Sequence, residues 1–374
     1  MARGSGRMAL SSPRTRTYRR TMNTVPTGET IGEAVRVAGR APSLHNTQPW
    51  RWSFDGQIMR LFSVPERMLP ATDTSGRQML LSCGIALDHF RVAMAAAGWR
   101  SNITRFPDPN RRVHLATVSF QRADLVTDAD LTRADAISRR HTDRRPFLAP
   151  PAWNDVEAML RGSYSPADAA LDVLADDSRP ALAHAARASA AIRRYDAGYQ
   201  AELHWWTGHD FAGEGVPARA LPSPQDHRRV SIDRSFPAFP DSSPESGPEV
   251  DHSMVLVLTT DGGSPEQTLR CGEIVSTLLL ECTLLGLATC PLTNLTEIPR
   301  GRAAIGELTG RAGKPQILIR AGTVANRPQE EPMTPRLPLA EILETTTTAL
   351  SSEPPAADGT DTTEQATGRA AGEM

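Results

Sequence analysis

The chain has 374 residues, 39% of them apolar, with a net charge of −2 and a pI near 6.5. That length and apolar content can bury one large core or two ordinary ones. The near-neutral balance argues against a nucleic acid or a membrane surface recruited by bulk charge, and no apolar run reads as a membrane span.

Residues 1–25 contain Arg3, Arg7, Arg14, Arg16, Arg19 and Arg20 and no acid. They lack the apolar core of a signal peptide, so they read as a disordered basic segment of a cytoplasmic protein, with Met22 as an alternative start. Thr30-Ile31-Gly32-Glu33 has the form of a capping box, with Ile31, Val35 and Ala38 following at helical spacing. The chain then enters Ala41-Pro42-Ser43-Leu44-His45-Asn46-Thr47-Gln48-Pro49-Trp50. Its two prolines keep it out of helix and sheet. Its five polar side chains suit either a ligand edge that alternates donors and acceptors or a turn satisfying its own backbone.

Trp50, Trp52 and Phe54 alternate with Arg51 and Ser53, and Asp55-Gly56 precedes Ile58, Leu61 and Val64, which predicts a hairpin. Ser75-Gly76-Arg77-Gln78 is expected to cap a second helix ending at Gly98, followed by a strand over Val113–Phe120. Further helices are expected through Ile137 and over Ala181–Tyr195. Residues 207–250, rich in proline, are too long for an ordinary connector and read as a lid. A strand over Met254–Thr260, a helix from Ser264 to Gly286 and a strand over Gln316–Thr323 complete the pattern. The tail 351–374 is polar.

Two of these helices share a frame: Cys83-Gly84 precedes Gly98 as Cys271-Gly272 precedes Gly286, each helix between strands. Duplication is the reading, with halves over 26–125 and 126–350. Cys83, Cys271, Cys282 and Cys290 form no C-x-x-C pair or zinc spacing and read as reduced, buried thiols. His204, His209, Asp210 and His227 do not make a convincing metal site. There is no P-loop, G-x-G-x-x-G or G-x-S-x-G.

The segment P-S-x-x-N-x-Q-P-W resembles the flavin-facing loop of FMN-dependent nitroreductases, and R-A-P-S-L-H-N-T-Q-P-W-R-W resembles the dormancy-associated, Acg-type branch. The resemblance spans roughly residues 27–345. It implies an α+β nitroreductase fold, internally duplicated into two sheet-plus-helix halves about a pseudo-twofold axis. It also implies FMN as cofactor, with Pro42, Ser43, Leu44, Asn46 and Gln48 facing it. Arg139, Arg140, Thr142 and Arg144 resemble the family's R-x-[ST]-x-[KR] phosphate element, and Pro291, Leu292 and Thr293 the flavin N5 surroundings. Arg336 matches a C-terminal basic residue that reaches the phosphate.

In dimeric relatives the Ser-Asn-Gln loop and the arginine element meet across the subunit interface. One of each in a fused chain implies one flavin site and a monomer. The activity implied is two-electron transfer from NAD(P)H through FMN to a small acceptor such as a nitroaromatic or a quinone. The alternative is a protein that sequesters FMN beneath the 207–250 segment. Trp205, Trp206, Phe211, Phe236 and Phe239 are the aromatic residues that could cover the flavin.

Overall fold

The computed structural model describes residues 24–208, 213–237, 248–324 and 333–346. The basic N-terminus with Met22, Phe211, Phe239 and the tail lie outside the described residues. In chain order the elements are α1 (Gly28–Ala38), β1 (Trp50–Phe54), β2 (Met59–Ser63), α2 (Arg77–Ala96), β3 (Trp99–Arg105), β4 (His114–Arg122) and α3 (Asp128–Arg139). Next come α4 (Trp153–Gly162), β5 (Ala170–Leu174), α5 (Arg179–Arg193), α6 (Ala197–Trp206), α7 (Pro224–Arg229), β6 (Met254–Thr260) and α8 (Pro265–Leu284). The chain finishes with β7 (Ala288–Leu292), α9 (Pro299–Thr309), β8 (Lys314–Gly322), α10 (Leu339–Ile342) and β9 (Leu343–Thr345).

These form two sheets, ordered β3-β4-β2-β1-β9 and β5-β6-β8-β7. Setting aside β9, which joins β1 in parallel, the remaining orders are the same when β1, β2, β3 and β4 are matched with β5, β6, β7 and β8. The matched pairs are all antiparallel, and the second and fourth strands of each set carry an irregularity, at Leu61/Phe62 in one and Leu258/Thr259 in the other. The α+β duplication is thus written in strand order as well as in the helix frame.

The two 20-residue helices α2 and α8 cross at the center. At the crossing, a Cβ on Gly84 would lie 2.1 Å from Leu269 O, and one on Gly272 2.3 Å from Leu81 O. Only glycine lets the backbones approach this closely, so the shared Cys-Gly frame marks the point where the halves meet. Around it, Trp52, Phe90, Leu115, Cys271, Leu278 and Leu279 belong to one apolar core drawn from both halves.

The structure also corrects the sequence reading. The first helix begins a turn earlier than the Thr30 pattern implied, because Thr27 Oγ1 accepts from Thr30 N. The second is not capped by Ser75: Gly76 sits in the left-handed region at φ 69°, and Asp73 Oδ2 accepts from Met79 N instead. The helix expected from Ser264 does start there, with Ser264 and Gln267 forming a capping box. Helix α2 is long and apolar enough to cross a membrane, contrary to the expectation that no run would be, but 72% of its apolar window is buried inside the molecule. Among its described residues, the 207–250 segment contains a short helix, α7, rather than irregular chain alone.

Candidate functional site

A concave feature with mixed polar and apolar walls lies against the N-terminal half of α2. It encloses about 740 Å³ of empty space, its open mouth included, within the usual range for small-molecule and cofactor sites. Three stretches far apart in sequence meet there.

The first is the loop after α1. His45, Asn46 and Gln48 have φ of 47°, 59° and 47°, a region that side chains other than glycine rarely occupy. The loop is held there by its neighbors: Gln48 N donates to Ser43 Oγ at 2.9 Å and Cys83 Sγ lies 3.2 Å from Pro49 O. This geometry separates the predicted residues. Pro42, Ser43 and Leu44 line the cavity, and so does His45, another of the loop's five polar side chains. Asn46 and Gln48 turn away. Asn46 Nδ2 donates to Gly215 O and Pro335 O, while Gln48 Nε2 donates to Gly213 O at 2.6 Å and its Oε1 accepts from Leu337 N at 3.0 Å. Both amides fasten the segments 213–215 and 335–337 to the loop; neither lines the cavity.

The second stretch follows α3. Thr142 bridges to Thr289 of β7 and Asp143 N donates to Thr289 O at 2.9 Å, which places Thr142 and Arg144 on the cavity wall. Burial would raise the Asp143 carboxyl, but hydrogen bonds from His141 and Arg145 and the Arg145 charge hold it well below the usual carboxylate range. Arg144 Nη1 donates to Ala220 O at 2.8 Å and its guanidinium lies 5.4 Å from the Phe236 ring. Arg139 is not at the cavity. It is half exposed and pairs with Asp135 one turn back, the reading of a solvated basic turn.

The third stretch is the end of β7. Cys290, Pro291, Leu292, Thr293 and Asn294 all line the cavity, and burial pushes the Cys290 thiol up to about 11, which leaves it neutral and unreactive. Asp233, Arg234 and Phe236 close the remaining side. Arg234 is clamped by Glu297 and by Tyr199 Oη at 2.6 Å. Of the aromatic residues expected to cover the site, Phe236 does line it; Trp205 on α6 is 62% exposed. Burial, then Arg234 and Arg144, hold His45 well below the usual histidine pKa, so its ring is neutral.

Two residues from the cavity-lining Pro42 and Thr142 stand Arg40 and Arg140; Arg336 hydrogen-bonds the Arg40 backbone and feels the charge of both. Arg336 directs its nitrogens to backbone carbonyls: Nε to Gly39 O at 2.9 Å, Nη2 to Arg40 O at 3.2 Å, Nη1 to Pro335 O at 3.0 Å. Arg40 Nη1 donates to Thr334 O and Arg140 Nη2 to Arg40 O. Among the described residues no carboxylate pairs with any of the three, and Arg140 Nε, Arg140 Nη1 and Arg40 Nε are buried without a partner. Burial lowers the pKa of all three. The Arg40 charge adds to the effect at Arg140, which falls to about 10, and Arg336 is lowered well below its usual value by burial, Arg40 and Arg140.

Arg40, Gln78, Ser82, Asp233 and Arg234 were missed by the sequence reading. Gln78 and Ser82 lie one turn apart on α2, a spacing that a helix-face argument could have found once the loop was placed against that helix. No signal in the sequence pointed to Arg234. Among the described residues no cluster of histidine, cysteine, aspartate or glutamate could hold a metal.

No protein-family model matches the sequence. The Mycobacterium tuberculosis protein provisionally named NAD(P)H nitroreductase Acg is 47% identical over 322 residues, which cover 86% of this chain and 97% of that protein. A second M. tuberculosis protein provisionally named as an NAD(P)H nitroreductase, Rv3131, is 40% identical over 330 residues, 86% of this chain and 94% of its own. Among solved structures, a mutant of the FMN and NADPH-dependent nitroreductase NfnB from a Sphingopyxis strain has a TM-score of 0.35 and 16% identity, over 57% of this chain and 97% of its own, too low to bear on the fold. Identity of this extent over nearly the whole of Acg makes the present chain a member of the Acg-type nitroreductase family.

Proposed function

We propose that the cavity holds one FMN and that the chain, acting as a monomer, is a flavin-dependent NAD(P)H oxidoreductase. The observation that carries this reading is the trio Arg40, Arg140 and Arg336, with Arg140 buried and the other two half-buried, grouped without a carboxylate among the described residues and with unpartnered buried donors on Arg40 and Arg140. Native proteins rarely leave buried donors unpaired or bury like charges together, and a phosphate monoester corrects both at once. Each charge-assisted hydrogen bond it accepts is worth roughly 1.5–3 kcal/mol. The donors fit the group: Arg140 offers Nε and Nη1, Arg40 offers Nε, and Arg336 adds charge while holding the 39–41 backbone in place.

FMN bound here supplies the two-electron chemistry, drawn from NAD(P)H and passed to a small acceptor such as a nitroaromatic or a quinone. The protein supplies position and field. Ser43 and Thr142 add hydroxyl side chains to the cavity lining, and Thr293 and Asn294 follow the end of β7 there. Arg144, fixed by Ala220 O, sets a cation beside the cavity that favors negative charge on the bound ring system. Phe236 and Pro291 exclude water from the same space. The test is anaerobic reduction of the FMN-loaded protein by NADPH or NADH, followed by addition of a nitroaromatic or a quinone. Bleaching of the oxidized flavin band and its return on adding acceptor are expected. A bound flavin that neither nicotinamide reduces would reject the oxidoreductase reading.

A further inference from the structure

A second set of buried polar groups lies outside the cavity. His89 of α2 is fully buried, with Nδ1 2.8 Å from Ser276 Oγ on α8. Ser276 Oγ lies 2.7 Å from Asp88 Oδ2, and Asp88 Oδ1 also accepts from Arg91. A hydroxyl has one proton, and a carboxylate only accepts. The Ser276 proton therefore goes to Asp88, and Ser276 must accept from His89 Nδ1–H. That leaves Nε2 as a bare lone pair, buried and unpartnered among the described residues, as are Arg140 Nε and Nη1. The charged groups bearing on the ring are Arg140 after α3 and Arg336 before α10, with Asp88 acting through Ser276. Burial, then Arg140 and Arg336, hold His89 well below its usual pKa, so without a ligand the ring is neutral.

An acceptor without a donor thus lies within the field of donors without an acceptor. An anion alone satisfies the arginines and leaves Nε2 facing a second acceptor. A phosphate monoester that retains one proton satisfies both.

We propose that His89 is a phosphate-binding residue, and that binding of the FMN phosphate takes up one proton, held between His89 Nε2 and a phosphate oxygen. The proposal rests on the FMN reading above. The proton comes from solvent, and no bond to phosphorus is made or broken. Ser276 and Asp88 keep Nδ1–H in place, so the ring meets the phosphate in one orientation.

Calorimetry of the full chain at pH 8, in buffers of different ionization enthalpy, counts the protons. Free FMN is a dianion there, since the second phosphate pKa is about 6. The wild type is expected to take up about one proton per FMN, and none with riboflavin, which lacks the phosphate. Its FMN affinity should fall by up to about tenfold per pH unit on the alkaline side. His89→Gln should bind FMN with no uptake and a flat pH profile. A histidine that only shapes the pocket would change affinity but leave the proton count at the wild-type value. FMN bound without uptake, or the same uptake with riboflavin or in His89→Gln, overturns the proposal. If His89→Gln does not fold, the wild-type comparison of FMN with riboflavin decides it. Failure of the protein to bind FMN at all would instead overturn the reading of the site, and this inference with it.

Discussion

Laying α2 on α8 end to end pairs Gln78 with Glu266, Ser82 with Arg270 and Ile85 with Glu273. In the first half these residues line an open cavity. In the second half Glu266 and Arg270 line another open concavity, of about 870 Å³ with its mouth included, but its walls carry ion pairs. Arg105 makes a two-pronged contact with Glu273 at 2.6 Å, and Arg270 bridges Glu273 and Asp168 at 3.0 Å each. The same scaffold therefore carries different electrostatics: beside the first site Arg40, Arg140 and Arg336 have no carboxylate partner among the described residues, while Arg105 and Arg270 at the second are paired. Duplication preserved the helix crossing and strand order and let the two pseudo-equivalent sites diverge. We propose that only the first retains a ligand.

The largest expected effect tests what the halves share. Gly84→Ala would push a methyl into Leu269 O and should cost about 3 kcal/mol or more of stability, and Gly272→Ala should cost about the same. A chemical denaturation midpoint unmoved by either would mean the crossing is looser than described. Next, Glu273→Gln leaves Arg105 and Arg270 without their shared partner and should cost about 2 kcal/mol, discounted because both arginines are partly exposed. FMN affinity should not change; a large loss of flavin binding would mean the second region serves the ligand after all.

Arg140→Ala should do the reverse. It weakens FMN binding by roughly tenfold or more, about 1.4 kcal/mol, while relieving repulsion with Arg40 and Arg336 in the free protein. Fluorescence titration and a melting curve read the two effects, and unchanged affinity would remove Arg140 from the site.

The smallest effect is a pH slope. His45 and His89 are held neutral in the folded chain, while in the unfolded chain they bind protons below about pH 6.5. Stability of the free protein should therefore fall as pH drops below 6.5, by up to about 1.4 kcal/mol per pH unit for each. His227, raised by Asp233, works in the opposite direction. His45→Asn and His89→Gln should each flatten the slope; a slope identical to the wild type in both would contradict their assignment as neutral.

What could be read from the sequence followed from local rules. The hairpin, the Ser264 capping box and the glycine ends of α2 and α8 are set by residues within a few positions of one another. The Cys-Gly frame was visible, but its meaning as a point of backbone contact was not, since that depends on two helices far apart in sequence. Strands β3, β5, β7 and β9 were missed. Trp99–Arg105 is mixed polar at alternate positions, and Ala288–Leu292 contains Pro291, a residue that argues against a strand by pattern alone. The loop 41–50 was recognized, yet which of its side chains turn inward depends on three positive φ values that composition does not fix. Arg234 and Phe236 reach the cavity from the 207–250 segment, where no periodicity announces direction.

The central claim is one flavin per chain, on the cationic side only. Reconstituting the protein with excess FMN, removing the unbound fraction and comparing flavin absorbance with protein concentration measures it directly. The expected result is one FMN per chain, lost or strongly weakened in Arg140→Ala and retained in Glu273→Gln. Two FMN per chain would mean the ion-paired half still binds, and none would mean that the arginine trio does not hold a flavin phosphate.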